Sequence, residues 1–170
     1  MIKTLQISEK EAWDLAFNAL VNNNTSEDNA KEVADALISA EFDGQAGHGL
    51  SRIPSYVEQL TAGKVKGAEA PSIISSKGSV IRIDAKNGFA YPAISLALKE
   101  ITTTCKNFGI AAASITRSHH FGQAGRHVEI LANNGLIGLM FGNTPKAIPP
   151  WGGTKALFGT NPIAFSTPRR

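Results

Sequence analysis

The chain has 170 residues, 42% of them hydrophobic and 18% charged, with a formal net charge of +3. At ~150 residues per domain this is a folded globule with a sizeable core, and the mix excludes a disordered tail, a collagen-like repeat and a coiled coil. The excess positive charge is scattered, with Lys64/Lys66 and Arg169/Arg170 as its densest clusters and no interleaved aromatic residues, so a nucleic-acid surface is not expected.

The first third reads as helical. Ser8 followed by Glu11 is a capping-box signature, and Trp13, Ala16, Phe17 and Leu20 then recur at helical spacing. After Asn22–Asn24, Thr25 or Ser26 caps a second helix with the apolar stripe Ala30, Val33, Ala34, Leu37, Ile38. Gly44, Gly47 and Gly49 interrupt that pattern. A shorter third helix is predicted over residues 51–62, with Pro54 in its first turn and Gly63 as its stop.

Composition then shifts. GKVKGAEAP, residues 63–71, reads as a linker. Residues 73–76 and 80–84 flank Lys77-Gly78 as a hairpin. Asn87-Gly88 signals another turn, and Pro92 opens a helix carrying Ile94, Ala97, Leu98, Ile101 and Cys105 on one face and ending at Gly109. Residues 110–116 form a predicted strand, 123–133 a helix, 136–141 a strand and 163–166 a last strand. The expected organisation is a helical segment over residues 1–70 and an α/β segment over 71–170 that lacks a closing helix and reads as incomplete.

No run approaches ~18 consecutive apolar residues, so no membrane span is expected. The N-terminus has no basic stretch followed by an apolar one, which argues against a signal peptide. The lone Cys105 excludes an internal disulfide and fits a reducing, cytoplasmic compartment.

Several chemistries lack their residues. There is no HExxH, paired CxxC or acidic cluster for a metal, no GxSxG for a nucleophilic hydrolase, and no P-loop or GxGxxG for a standard nucleotide site. The segment SHHFGQAG links a predicted strand to a helix, and Gly122 and Gly125 there suit an anion at a helix N-terminus. GHGLSRIPSY is more pointed. Arg52 and Tyr56 are four apart and share a helix face, with His48 just before them in a glycine loop. A guanidinium fork for a carboxylate, a phenol for an oxygen and an imidazole for a proton would make a compact 2-oxo-acid site; the alternative is a surface arginine beside a half-buried tyrosine.

HGLSR with Tyr56, SHHFG, GNTP, PPWGG and FGTNPIAFSTP together resemble the type-2 malate/L-lactate dehydrogenase family of NAD(P)-dependent oxidoreductases. The resemblance runs through almost the whole chain in the family's order, and RIDAKNGFAYPA and SHHF look closest to its piperideine-2-carboxylate reductase branch; sulfolactate dehydrogenases are also members. It implies a non-Rossmann fold: a helical N-terminal region joined to a mixed, largely antiparallel sheet with helices. It also implies a homodimer, a small 2-oxo or 2-hydroxy acid (or cyclic 2-imino acid) as substrate, and NAD or NADP as cofactor. Arg52 matches the residue that holds the substrate carboxylate, Tyr56 a substrate-side tyrosine, and His48 and His120 are both candidates for the acid/base. The resemblance assigns His120, Phe121, Gly122, Gln123, Asn143 and Thr144 to the cofactor and Thr160 to the substrate or nicotinamide. Gly47 stands where many members carry serine, and full-length members are roughly twice as long, so the chain looks like an N-terminal half. The alternatives are a truncated, non-catalytic fragment and an anion-binding module without redox activity.

Overall fold

Local signals set the helices. In the computed structural model, which describes residues 6–169, Ser8 caps α1 (Glu9–Val21). Its hydroxyl accepts the Glu11 N–H, and the Glu11 carboxylate accepts the Ser8 N–H at 2.8 Å, the expected capping box. Ser26 rather than Thr25 caps α2 (Glu27–Phe42), accepting the Asn29 N–H. Of the anticipated stripes, Ala16 and Leu20 on α1 and Ala30, Val33, Ala34, Leu37 and Ile38 on α2 are buried, while Trp13 and Phe17 are half-buried. Burying each large apolar side chain contributes ~1.5–3 kcal/mol. Trp13 stacks on Phe17 and donates its Nε1–H to Asp35 at 2.6 Å, which ties α1 to α2.

Two 3₁₀ turns, Ala46–His48 and Leu50–Arg52, carry the glycine loop into α3 (Ile53–Thr61). Pro54 lies in the first turn of α3, where its missing N–H costs nothing. The stretch expected as a linker is docked. Val65 is buried, and the Asn29 side-chain amide donates to the carbonyls of Gly67 (2.7 Å) and Glu69 (3.0 Å). Composition alone marks that stretch as loose; a buried amide forty residues upstream holds it.

β1 (Ser72–Lys77) and β2 (Val80–Asp84) form the expected hairpin, with Gly78 at φ 55° in its turn. β2 pairs in parallel with β3 (Ala112–Thr116). A parallel pair needs a crossover, and α4 (Ala90–Phe108) supplies it, ending at Gly109 with φ 77°. Ala93 and Ala97 of α4 pack on Ile81, Ile83 and Ala85 of the sheet side. Beyond β3, Arg117 makes a two-pronged ion pair with Asp84, and the His119 N–H donates to the Gly88 carbonyl at 3.1 Å. The end of β2 and the Asn87-Gly88 turn thereby fix where the two adjacent histidines begin.

These elements belong to one compact unit, Met1–Gln123; Ala124–Arg170 forms a second. The second unit holds α5 (Ala124–Asn133) and an antiparallel pair, β4 (Gly138–Phe141) with β5 (Ile163–Ser166). The fold is therefore mixed α/β, with antiparallel pairing in β1–β2 and β4–β5 and parallel pairing in β2–β3. Among the described residues no helix is long and apolar enough to cross a membrane.

Candidate active site

The floor of the site is part of the core. Tyr56, Phe89 and Tyr91 bury within the same apolar cluster as Leu20, Val33 and Leu37. The two tyrosine hydroxyls form a short polar line through it: Tyr91 Oη lies 3.0 Å from Tyr56 Oη, which lies 2.8 Å from His120 Nδ1. Burial first, then the Tyr91 phenol, pushes the Tyr56 pKa far above the ordinary tyrosine range. Tyr56 is thus a hydrogen-bonding group throughout the physiological range.

His48 and His120 come from different parts of the chain and stack, with ring centroids 5.5 Å apart and planes within 10°. The glycine loop that delivers His48 is tightly set. The Leu50 N–H donates to Glu41 at 2.7 Å, and the same carboxylate fills the space a side chain on Gly49 would need. Arg52 lies beside both imidazoles. Its Nε donates to the Gly47 carbonyl at 2.5 Å, and its two terminal NH₂ groups make no hydrogen bond or ion pair among the described residues. That leaves a half-anchored fork with two parallel donors, the geometry that grips a carboxylate. Burial, and then the Arg52 charge, lower the His48 pKa. Burial lowers His120 to about 4, helped by Arg52, His48 and His119. The site therefore favours neutral imidazoles beside one permanent cation, a setting for an anionic ligand.

His119 plays a different part from its neighbour. Its Nε2 lies 2.9 Å from Gln59 Oε1, and its ring meets Tyr56 and Phe89 edge-on. The Gln59 amide nitrogen donates to the Ser55 carbonyl, so its oxygen faces His119 and His119 carries its proton on Nε2. Burial, and then the Lys64 charge, lower its pKa to about 4. His119 thus buttresses Tyr56.

Phe121 stacks on His120 at 6.1 Å. Gln123 donates its amide to Asp43 at 2.8 Å, while its Oε1 is buried with no hydrogen-bond partner among the described residues. Asn143, Thr144 and Thr160 lie in the second unit. There the Thr144 hydroxyl sits 3.1 Å from that of Thr160, and Asn161 Oδ1 accepts the Thr144 N–H at 3.0 Å. His127 is buried on α5. The structure thus brings together His48, Arg52, Tyr56 and His120 from the sequence reading, and separately Thr144 with Thr160. Tyr91, His119 and Gln59 are the contributors the sequence reading passed over. Tyr91 and His119 carry a signal, as parts of GFAYPA and SHHFG, but nothing in their spacing points to Tyr56.

Residues 7–170 match the malate/L-lactate dehydrogenase family. The chain is 48% identical over 164 residues to the (2R)-3-sulfolactate dehydrogenase (NADP(+)) of Chromohalobacter salexigens, covering 96% of this chain and 49% of that protein. It is 37% identical over 166 residues to a Δ(1)-pyrroline-2-carboxylate/Δ(1)-piperideine-2-carboxylate reductase of Pseudomonas syringae pv. tomato, covering 98% and 48%. The crystal structure of a Δ1-piperideine-2-carboxylate reductase from that organism superposes with a TM-score of 0.90 at 37% identity, over 98% of this chain and 50% of that one. The chain spans about half the length of the curated relatives it matches. On sequence and on structure alike, it belongs to the malate/L-lactate dehydrogenase family.

Proposed function

We propose that the protein is an NAD(P)-dependent oxidoreductase that interconverts a 2-hydroxy acid and its 2-oxo acid, or a cyclic amino acid and its 2-imino acid. The observation that carries this reading is the Arg52 guanidinium, anchored through Nε with both NH₂ groups uncommitted, beside two stacked imidazoles. The fork binds the substrate carboxylate through two parallel N–H···O bonds, which fixes the adjacent C2 carbon and turns its oxygen or nitrogen toward the imidazoles. His48 and His120 are the groups that can move or hold a proton there. Tyr56 holds His120 from behind, and Thr160 is a further substrate-side group in this reading.

The cofactor residues are His120, Phe121, Gly122, Gln123, Asn143 and Thr144. The chemistry of this donor set fits a nicotinamide: the buried, unpartnered Gln123 Oε1 is an acceptor suited to a carboxamide N–H, and the Phe121 ring is a flat apolar face. When bound, the nicotinamide supplies or accepts the hydride equivalent that the side chains lack. The name of the Chromohalobacter relative specifies NADP(+) and supports including the phosphorylated cofactor. The same reading carries a cytoplasmic homodimer acting on small acids, with neither nucleic acid nor membrane as partner; the scattered basic residues and the single cysteine support it.

The test is an assay of NADH and NADPH oxidation against pyruvate, oxaloacetate, sulfopyruvate and cyclic 2-imino acids. Turnover with at least one carboxylate-bearing acceptor is expected. Cofactor binding without oxidation by any of them would contradict the reading.

A further inference from the structure

The polar line beneath the site has only one consistent direction. The Gly122 N–H donates to His120 Nδ1 at 3.3 Å. A backbone N–H can only donate, so Nδ1 holds a lone pair and the His120 proton sits on Nε2. Tyr56, 2.8 Å from the same Nδ1, must then donate its only hydroxyl proton to it. With that proton committed, the Tyr91 hydroxyl, 3.0 Å away, must donate to Tyr56. Among the described residues Nε2 makes no hydrogen bond, so its N–H remains for a ligand.

We propose that Tyr91 is a positioning residue which, acting through Tyr56 and together with the Gly122 N–H, locks His120 as the neutral Nε2–H tautomer, so that His120 presents a fixed hydrogen-bond donor to the substrate's reacting oxygen or nitrogen rather than titrating as the acid. The role toward substrate rests on the function proposed above; the tautomer lock rests on the network alone.

The lock acts in both directions. Protonating Nδ1 would set an N–H against the Gly122 N–H, which cannot rotate away. Losing the Nε2 proton would require Tyr56 to pass its own proton to Nδ1, and Tyr56 is buried beside Tyr91. The charged and titratable groups facing His120 are Arg52 at the start of α3, His48 from the 3₁₀ turn, Tyr56 on α3 and His119 beside it in the chain. The permanent cation among them opposes a second positive charge. Gly122 serves the same lock from the other side. It sits at φ 67°, and a Cβ there would lie 2.5 Å from Tyr91 Oη, so only glycine lets the tyrosine hydroxyl reach its place. The proton exchanged with substrate then falls to His48, whose ring stacks on His120.

The test is ¹⁵N NMR of histidine side chains in the labelled protein, with steady-state kinetics alongside. In the wild type, His120 is expected to show an unprotonated Nδ1 and a protonated Nε2, unchanged between about pH 5 and 8. Tyr91→Phe frees the Tyr56 hydroxyl to turn, and the His120 signals should move toward a mixture of tautomers. Its kcat should fall by about 5–10-fold, the worth of one hydrogen bond, with KM for the acid changed less than about 2-fold. Gly122→Ala should produce the same spectral change if Tyr91→Phe folds poorly. A wild-type His120 that titrates near neutrality, or that carries its proton on Nδ1, overturns the proposal; so does a Tyr91→Phe protein with wild-type spectrum and kcat. A protein with the locked spectrum and no reductase activity would overturn the functional reading while leaving the tautomer assignment standing.

Discussion

The two units differ in how they treat their apolar side chains. In Met1–Gln123, Leu20, Val33, Leu37, Ile81 and Ile83 are essentially inaccessible to solvent. In Ala124–Arg170, among the described residues, Val128 and Leu131 are the buried apolar side chains, while Leu139, Phe141, Ile163 and Phe165 on β4–β5 are each more than half exposed. A two-stranded ladder with open faces is marginal alone. The site residues inherit this difference. Tyr56 and Tyr91 are core members whose hydroxyl positions are set by packing, and they hold His120 with it. Thr144 and Thr160 are held chiefly by each other and by Asn161. Precision in the first group comes from burial, so it should fail when the core is damaged and survive changes on the open sheet.

The sharpest way to break that contrast is Leu37→Ala, which removes a fully buried side chain from the core cluster that also holds Tyr56. It should cost ~2–5 kcal/mol in urea unfolding and weaken substrate binding together with stability. A loss well under that range would mean the floor is looser than its burial implies.

Acid is the next lever. His119 and His120 have folded pKa values of about 4 against an ordinary 6.5. Between those values the unfolded chain binds more protons than the folded one, so stability rises with pH across that window. The stabilisation is complete above about pH 6.5 and is lost as the pH falls toward about 4. Urea midpoints measured across that range should show the decline, and replacing His119 by Gln should shallow it. A flat profile would contradict the burial of both imidazoles.

The smallest effect belongs to the open sheet. Phe141→Ser removes an aromatic ring that solvent already reaches, so unfolding of the chain should change by less than ~0.5 kcal/mol. A large destabilisation would mean that face is covered in solution.

Most of the helical part was legible because its signals are local. Ser8 and Glu11 are three apart, the stripes of α1 and α2 repeat every three or four residues, and Gly63 and Gly109 mark helix ends by taking positive φ. Arg52 and Tyr56 shared a face for the same reason. What escaped was non-local. Tyr56 and Tyr91 meet across 35 residues, and Asn29 reaches 38 residues forward to hold the stretch that looked like a linker. The adjacent His119 and His120 are indistinguishable by type; they part only because Gln59 takes one ring and Tyr56 the other. Resemblance named the site where periodicity could not, but the order of the hydrogen bonds beneath it needed coordinates.

The most direct measurement of the central claim is isothermal titration of wild type and Arg52→Lys with NADPH and with a 2-oxo acid that the wild type reduces. Lysine keeps the charge and loses the two-pronged geometry, so affinity for the acid should drop by about 10-fold or more while NADPH binding holds within about 2-fold. Unchanged affinity for the acid, or an equal loss for both ligands, would contradict a carboxylate-gripping role for Arg52.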